Sequence, residues 1–189
     1  MDPVGRPSRG RPPRLSRERI VAAALEFDLE SLTMRGLAER LGVTHSTLYG
    51  WVSSREELLD LISAVTVDKT LPEGDPVDGD WRGWLTTVAV RMHAELMSAP
   101  GHASRLAVTQ AHRDAAHDRL HSRAITALAG AGLTPEQAHQ TWYIFGVTVL
   151  GWIAAEQGQA RYVQPASATR LPAFELLLDV LLRGLPPQP

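Results

Sequence analysis

Leu32-Thr33-Met34-Arg35-Gly36-Leu37-Ala38-Glu39-Arg40-Leu41-Gly42-Val43-Thr44-His45-Ser46-Thr47-Leu48-Tyr49-Gly50-Trp51-Val52, near the front of a 189-residue chain, holds two short helical patterns hinged on a glycine. Thr33 is a candidate N-cap, since its hydroxyl can accept from an otherwise unpaired amide of the first turn. Leu37, Ala38 and Leu41 recur at helical spacing, and Gly42 can take the left-handed conformation that ends a helix. The spacing predicts a helix over 34–41, and Thr44 opens another, predicted to reach about Trp51. Two helices that cross steeply need a small residue where they touch and a glycine where the chain reverses; Ala38 and Gly42 fall at those places. Leu37, Leu41, Val43, Leu48 and Val52 supply the apolar contacts, which leaves Thr44, His45, Ser46, Thr47, Tyr49, Gly50 and Trp51 to face outward. Hydroxyl, imidazole and aromatic tips on an exposed helix suit base edges and phosphates in a major groove.

Outward from this pair the chain reads as helices and turns. Ser16 is the candidate cap of a first helix carrying Ile20, Val21, Ala24 and Leu25 and running to about Phe27. Ser53 and Ser54, three residues before Glu56 and Glu57, give a doubled capping-box signal for a fourth helix over 55–69. The stretch 71–80, with two prolines, two glycines and four acids, reads as a loop. Beyond it the pattern predicts helices over 81–98, 103–110, 114–131, 135–157 and 172–183. Thr134, Pro135 and Gln137 mark the start of the long one, and Gly184 and Pro186 end the last. No alternating strand pattern appears, so the expected fold is all-α. The expected organisation is a disordered basic arm over 1–14, a helix-turn-helix DNA-binding domain over 15–60, and a second helical domain over 61–189.

The segment from Leu32 to Val43, then Thr47-Leu48-Tyr49, Val52 and Glu57-Leu58-Leu59-Asp60, resembles the DNA-binding domain of TetR-family transcriptional regulators in sequence, order and spacing. The resemblance covers about residues 15–65. It implies that Arg35, then Thr44, His45, Ser46, Thr47, Tyr49 and Trp51, and Arg55 at the start of the fourth helix, meet DNA. Two departures stand out. The link Asp28-Leu29-Glu30-Ser31 is shorter than the family's and lacks its customary glycine, and Gly50 replaces a larger residue.

Charge and composition narrow the classes further. Residues 1–55 carry nine arginines against six acids, a net +3, whereas residues 56–189 carry ten basic groups against fifteen acids, a net −5. A basic front end suits a polyanion, whose condensed counterions arginines release. Without cysteine there is no disulfide framework, zinc finger or thiolate nucleophile. The longest apolar run, 142–155, is broken by glycines and too short to span a bilayer. No apolar signal segment follows the early arginines, so a cytoplasmic location is expected. No nucleophile elbow, phosphate loop or nucleotide-binding glycine motif is present, so an enzyme is not expected, and no cofactor.

The arm adds a hypothesis of its own: Arg9-Gly10-Arg11-Pro12 resembles the core of an AT-hook, in which arginines lie along a narrow minor groove. Arg9 and Arg11 are its candidate contacts. In the back half, the helix over 135–157 is apolar nearly all round, so it needs cover on two sides. The resemblance implies that one side, with Ile144, Val147, Gly151 and Ala154, packs against a second copy. Gly146 and Gly151 would permit close approach there, and Leu176, Leu177, Val180 and Leu181 of the last helix would supply the matching face. By the same resemblance residues 61–189 are a ligand-binding and dimerisation domain, in which the other side, with Trp142, Phe145 and Val149, lines a ligand site together with Trp84, Val88 and Met92, and His93, His102 and Arg105 serve as its polar groups. His117 and His121 sit one helical turn apart among charged neighbours, which reads as a solvated face and no metal site. The expectation is a homodimeric repressor, released from a palindromic double-stranded DNA operator by a small hydrophobic or aromatic effector. The alternative is a DNA-binding dimer without an effector.

Overall fold

Helix boundaries in the computed structural model, which describes residues 15–74, 80–108, 115–161 and 172–186, follow the capping chemistry. The described residues form α1 (Arg17–Ala24), α2 (Met34–Leu41), α3 (His45–Tyr49), α4 (Arg55–Thr70), α5 (Trp81–Met97), α6 (His102–Val108), α7 (Ala115–Gly130), α8 (Pro135–Arg161) and α9 (Phe174–Gly184), with no strand among them. Ser16, Thr33, Thr44 and Ser54 each accept a first-turn amide through the side chain. Gly42 closes α2 at φ 67°, in the left-handed region that a side chain disfavours. At α8 the box is reciprocal: Thr134 N–H donates to Gln137 Oε1, and Gln137 N–H to Thr134 Oγ1.

Several ends differ from the sequence expectation. α1 stops at Ala24 rather than Phe27, because the chain tightens into turns (Glu26 N–H to the Ala23 carbonyl, Phe27 N–H to that of Ala24) that carry Leu29 and Leu32 into the core. α3 stops at Tyr49 rather than Trp51, since Val52 must turn back inside. The doubled box at α4 resolves into one: Ser54 caps, and the Glu57 carboxylate reaches back to the amide and hydroxyl of Ser53. α8 runs on to Arg161, past Gln157, and α9 starts at Phe174, not Pro172. The arm, with Arg9 and Arg11, lies outside the described residues.

Two apolar cores result. The first gathers Ile20, Leu37, Leu48, Val52, Leu58 and Ile62 from α1 to α4, so that α3 is fixed by Leu48 at its centre. Burying each such side chain contributes about 1.5–3 kcal/mol. The second joins α5, α7, α8 and α9 around Leu85, Val88, Leu120, Leu128, Phe145 and Val149. Arg82 ties α5 to the end of α9 through the carbonyls of Leu182 and Leu185, at 3.0 and 2.9 Å.

The cores meet at a joint with specific hydrogen bonds. Leu29 N–H, in the α1–α2 link, donates to the Pro100 carbonyl in the α5–α6 turn at 3.0 Å. Gly101 makes the approach possible: its φ is 84°, and a Cβ there would lie 3.0 Å from Asp28 Oδ1 and 3.2 Å from the Glu30 amide. On the other flank of the link, Arg55 donates from Nε to the Leu32 carbonyl (2.9 Å) and from Nη2 to the Leu29 carbonyl (2.7 Å).

Candidate functional site

The exposed face of α3 is built on Leu48, which is fully buried and sets the rotation of the helix. Thr44, His45, Ser46, Thr47, Tyr49, Gly50 and Trp51 consequently all face solvent. Tyr49 and Trp51 are 40% and 41% exposed, large for aromatic rings with an apolar core at hand. The His45 ring tilts against Tyr49 with centroids 4.6 Å apart. The hydroxyls of Ser46 and Thr47 lie 3.0 and 2.8 Å from that of Thr44, which also accepts the Thr47 amide. Thr44 therefore serves first as a cap and Thr47 as part of its network. Arg35, on α2, stands in solvent beside Glu39 at 3.0 Å.

Arg55 has a different place from the one its position suggested. Its Nε and one Nη hold the two carbonyls of the α1–α2 link, so the guanidinium braces the front domain from within. The signal was present in the short, glycine-free link, whose carbonyls need donors from elsewhere.

In the rear domain Trp84, Val88 and Met92 form one buried stripe on α5, and Phe145 and Val149 lie in the same apolar cluster from α8. Trp142 is half-buried and stacks on Phe145 at 5.7 Å. His93 points elsewhere: it stacks on Phe174 of α9 at 4.3 Å, with Nε2 2.9 Å from a carboxylate oxygen of Glu156. Arg105 reaches Asp60 of α4 at 3.5 Å. Both bridge helices and are not drawn into the apolar stripe.

His102 is wholly buried at the start of α6, its Nε2 3.0 Å from Ser63 Oγ of α4. The Ser63 hydroxyl donates to the Leu59 carbonyl at 2.9 Å, so Nε2 carries the ring proton and Nδ1 is a bare lone pair. Burial first, and the Arg105 guanidinium second, push the His102 pKa down to about 4, keeping the ring neutral.

Several buried polar atoms in this domain have no hydrogen-bonding partner: Trp84 Nε1, Thr141 Oγ1, Trp152 Nε1, His102 Nδ1 and Gln157 Oε1. Leaving such groups unpaired costs about 1–3 kcal/mol each, so they concentrate where a ligand or ordered water is received. Thr141 and Gln157 were not singled out from the sequence. Thr141 and Gln157 sit on the inward strip of α8 with Ala138, Phe145, Val149 and Ile153, and a polar residue in that phase is the signal that marks them.

On its opposite side α8 exposes Tyr143, Ile144 and Val147, and α9 exposes Leu176 and Val180. Gly151 shares the exposed side of α8, whereas Gly146, by helical phase, sits at the edge of the buried strip. Leu177 and Leu181, expected on the outer face of α9, pack instead against the core. His121 lies 5.4 Å from His139 and 6.5 Å from Trp142 between ring centroids. Among the described residues no three histidine, aspartate or glutamate side chains come together to hold a metal, and no helix is long and apolar enough to cross a membrane.

No family model matches the chain. It is 39% identical over 88 residues to the HTH-type transcriptional repressor DrrR1 of Streptomyces coeruleorubidus, covering 44% of this chain and 33% of that one. To the class D tetracycline repressor protein of Escherichia coli it is 32% identical over 89 residues, covering 44% and 41%. The matched stretch thus spans a third to two fifths of those relatives' length. A TetR variant from Acinetobacter baumannii, crystallised in complex with minocycline, superposes with a TM-score of 0.72 over 90% of this chain and 92% of that one, at 27% identity.

Proposed function

The chain belongs to the TetR family of transcriptional regulators, and on that premise we propose that it works as a homodimeric, effector-responsive repressor that reads DNA with α3. The observation that carries this reading is the fixed helix α3 with Tyr49 and Trp51 held in solvent beside its hydroxyls. Apolar burial sets the rod; its tips are left for base edges and phosphates. Tyr143, Ile144, Val147, Leu176 and Val180 give α8 and α9 an apolar face suited to a second copy related by a two-fold axis. Two copies of α3 then meet successive major grooves about 34 Å apart.

The unpaired polar atoms in the rear core favour an effector over a purely structural rear domain. Coupling runs through the joint. Gln157 of α8 donates to the carbonyls of Leu96 (2.6 Å) and Ala99 (3.3 Å), one residue before the Pro100 carbonyl that takes the Leu29 amide. A shift of α8 or of the α5–α6 turn is thereby passed to the link beneath α2 and, through Arg55, to the start of α4. An effector that binds better to the conformation with the wrong α3 separation releases DNA by as much as its differential affinity allows.

Selection of duplexes from a random pool by the purified protein tests the reading. The expected result is an enriched palindrome whose half-sites are centred about one helical turn, or a whole multiple, apart; enrichment of no sequence over competitor contradicts it.

A further inference from the structure

Two of the unpaired atoms belong to residues that share one carbonyl. Gln157 Nε2 and the His102 amide both donate to the Ala99 carbonyl, at 3.3 and 3.2 Å, so the two side chains flank the α5–α6 turn. Gln157 is 5% exposed and His102 not at all. The Gln157 amide nitrogen is engaged by Leu96 and Ala99, which fixes the orientation of the group and leaves Oε1 without a donor. His102 Nε2–H is engaged by Ser63, which leaves Nδ1 without one. Both are acceptors. A buried acceptor pair calls for a ligand that donates hydrogen bonds.

The charge of that donor is also constrained. The buried residues include no aspartate or glutamate among those described, and the Arg105 guanidinium acts on His102. An ammonium group placed there would be desolvated with no buried carboxylate to pair with it, since the Asp60 carboxylate is engaged by Arg105. A hydroxyl carries no such penalty. Leu96 and Ala103, next to this turn, belong to the apolar cluster of the domain, so the rest of such a ligand would meet apolar neighbours.

We propose that His102 Nδ1 accepts from an uncharged hydroxyl, phenolic or alcoholic, on an otherwise apolar effector, with Gln157 Oε1 left as the acceptor for a second donor of that ligand or of an ordered water. This deepens the effector reading above and rests on it. The subsite adjoins the turn whose Pro100 carbonyl holds Leu29, so a hydroxyl captured there acts directly on the contact between the two domains.

The test uses three probes of one shape: 2-naphthol, 2-methoxynaphthalene and 2-(aminomethyl)naphthalene, with affinity read by quenching of tryptophan fluorescence in the full chain. The expected result is that the naphthol binds about tenfold tighter than the ether, the worth of one hydrogen bond into a buried acceptor, and that the ammonium binds weakest. His102→Phe should erase the preference for the naphthol. Because that variant could fold poorly, the unmodified protein with 15N-labelled histidine provides a second reading, in which the Nδ1 resonance of His102 moves upfield with naphthol and stays still with the ether. Equal binding of naphthol and ether, tighter binding of the ammonium, or an unmoved Nδ1 resonance overturns the subsite while leaving an effector core in place. If none of the three binds, the subsite is overturned, and if in addition no small apolar molecule releases the selected duplex, the effector reading falls with it.

Discussion

Lowering the pH from 6.5 to 4 removes the stability that the buried His102 ring contributes. In the folded chain its pKa is held near 4, chiefly by burial, whereas an unfolded histidine titrates near 6.5. A histidine whose folded pKa lies below its unfolded one binds more protons when unfolded throughout that interval, so its contribution is whole above pH 6.5, declines as pH falls, and is gone below about 4. At about 1.4 kcal/mol per pKa unit the loss is on the order of 3 kcal/mol, a large part of the 5–15 kcal/mol that holds an ordinary domain together. The groups around the ring do not reverse the sign: Ser63 is neutral, and Arg105 and His117 both oppose a proton on it. Urea unfolding followed by circular dichroism at intervals between pH 7 and 4 measures the effect. Carboxylates titrating in the same window are cancelled by a parallel series on His102→Gln, which does not titrate and retains an amide donor for Ser63. The wild type is expected to lose about 3 kcal/mol more than the variant across the window. Parallel profiles would refute the assignment of a neutral, desolvated imidazole.

Other substitutions probe the joint and the outer face. Arg55→Ala leaves the Leu29 and Leu32 carbonyls without their donor, and should lower unfolding free energy by about 1–3 kcal/mol in urea titration; an unchanged midpoint with weakened DNA binding would instead make Arg55 a DNA contact. Val147→Glu puts a carboxylate on the exposed apolar side of α8, and sedimentation should show the dimer proposed for the unaltered chain replaced by monomer; a dimer that persists in the variant removes this face from the interface.

Much of the helix-turn-helix was legible because its signals are local. Thr33, Gly42, Thr44 and Ser54 act within a turn of themselves, and Leu37, Ala38 and Leu48 declare a buried phase by spacing alone. The end of α1 was misjudged since Leu29 and Leu32 turn inward under the pull of a core formed with residues far along the chain. His93 and Arg105 were placed at a ligand site from their apolar flanks, yet their partners, Glu156 and Asp60, lie 63 and 45 residues away, and spacing says nothing at that range. The outer face of α9 was drawn one helical position too broad for the same reason: which leucines it keeps exposed depends on where α5 and α8 lie.

The proposed reading element is tested most directly by the affinity of Tyr49→Ala for a duplex that the unaltered chain selects, measured over a range of salt. Tyr49 is 40% exposed and takes no part in the core, so the variant should keep its thermal midpoint and lose about five- to a hundred-fold in affinity for that duplex. An affinity equal to that of the unaltered chain would contradict the docking of α3 against DNA.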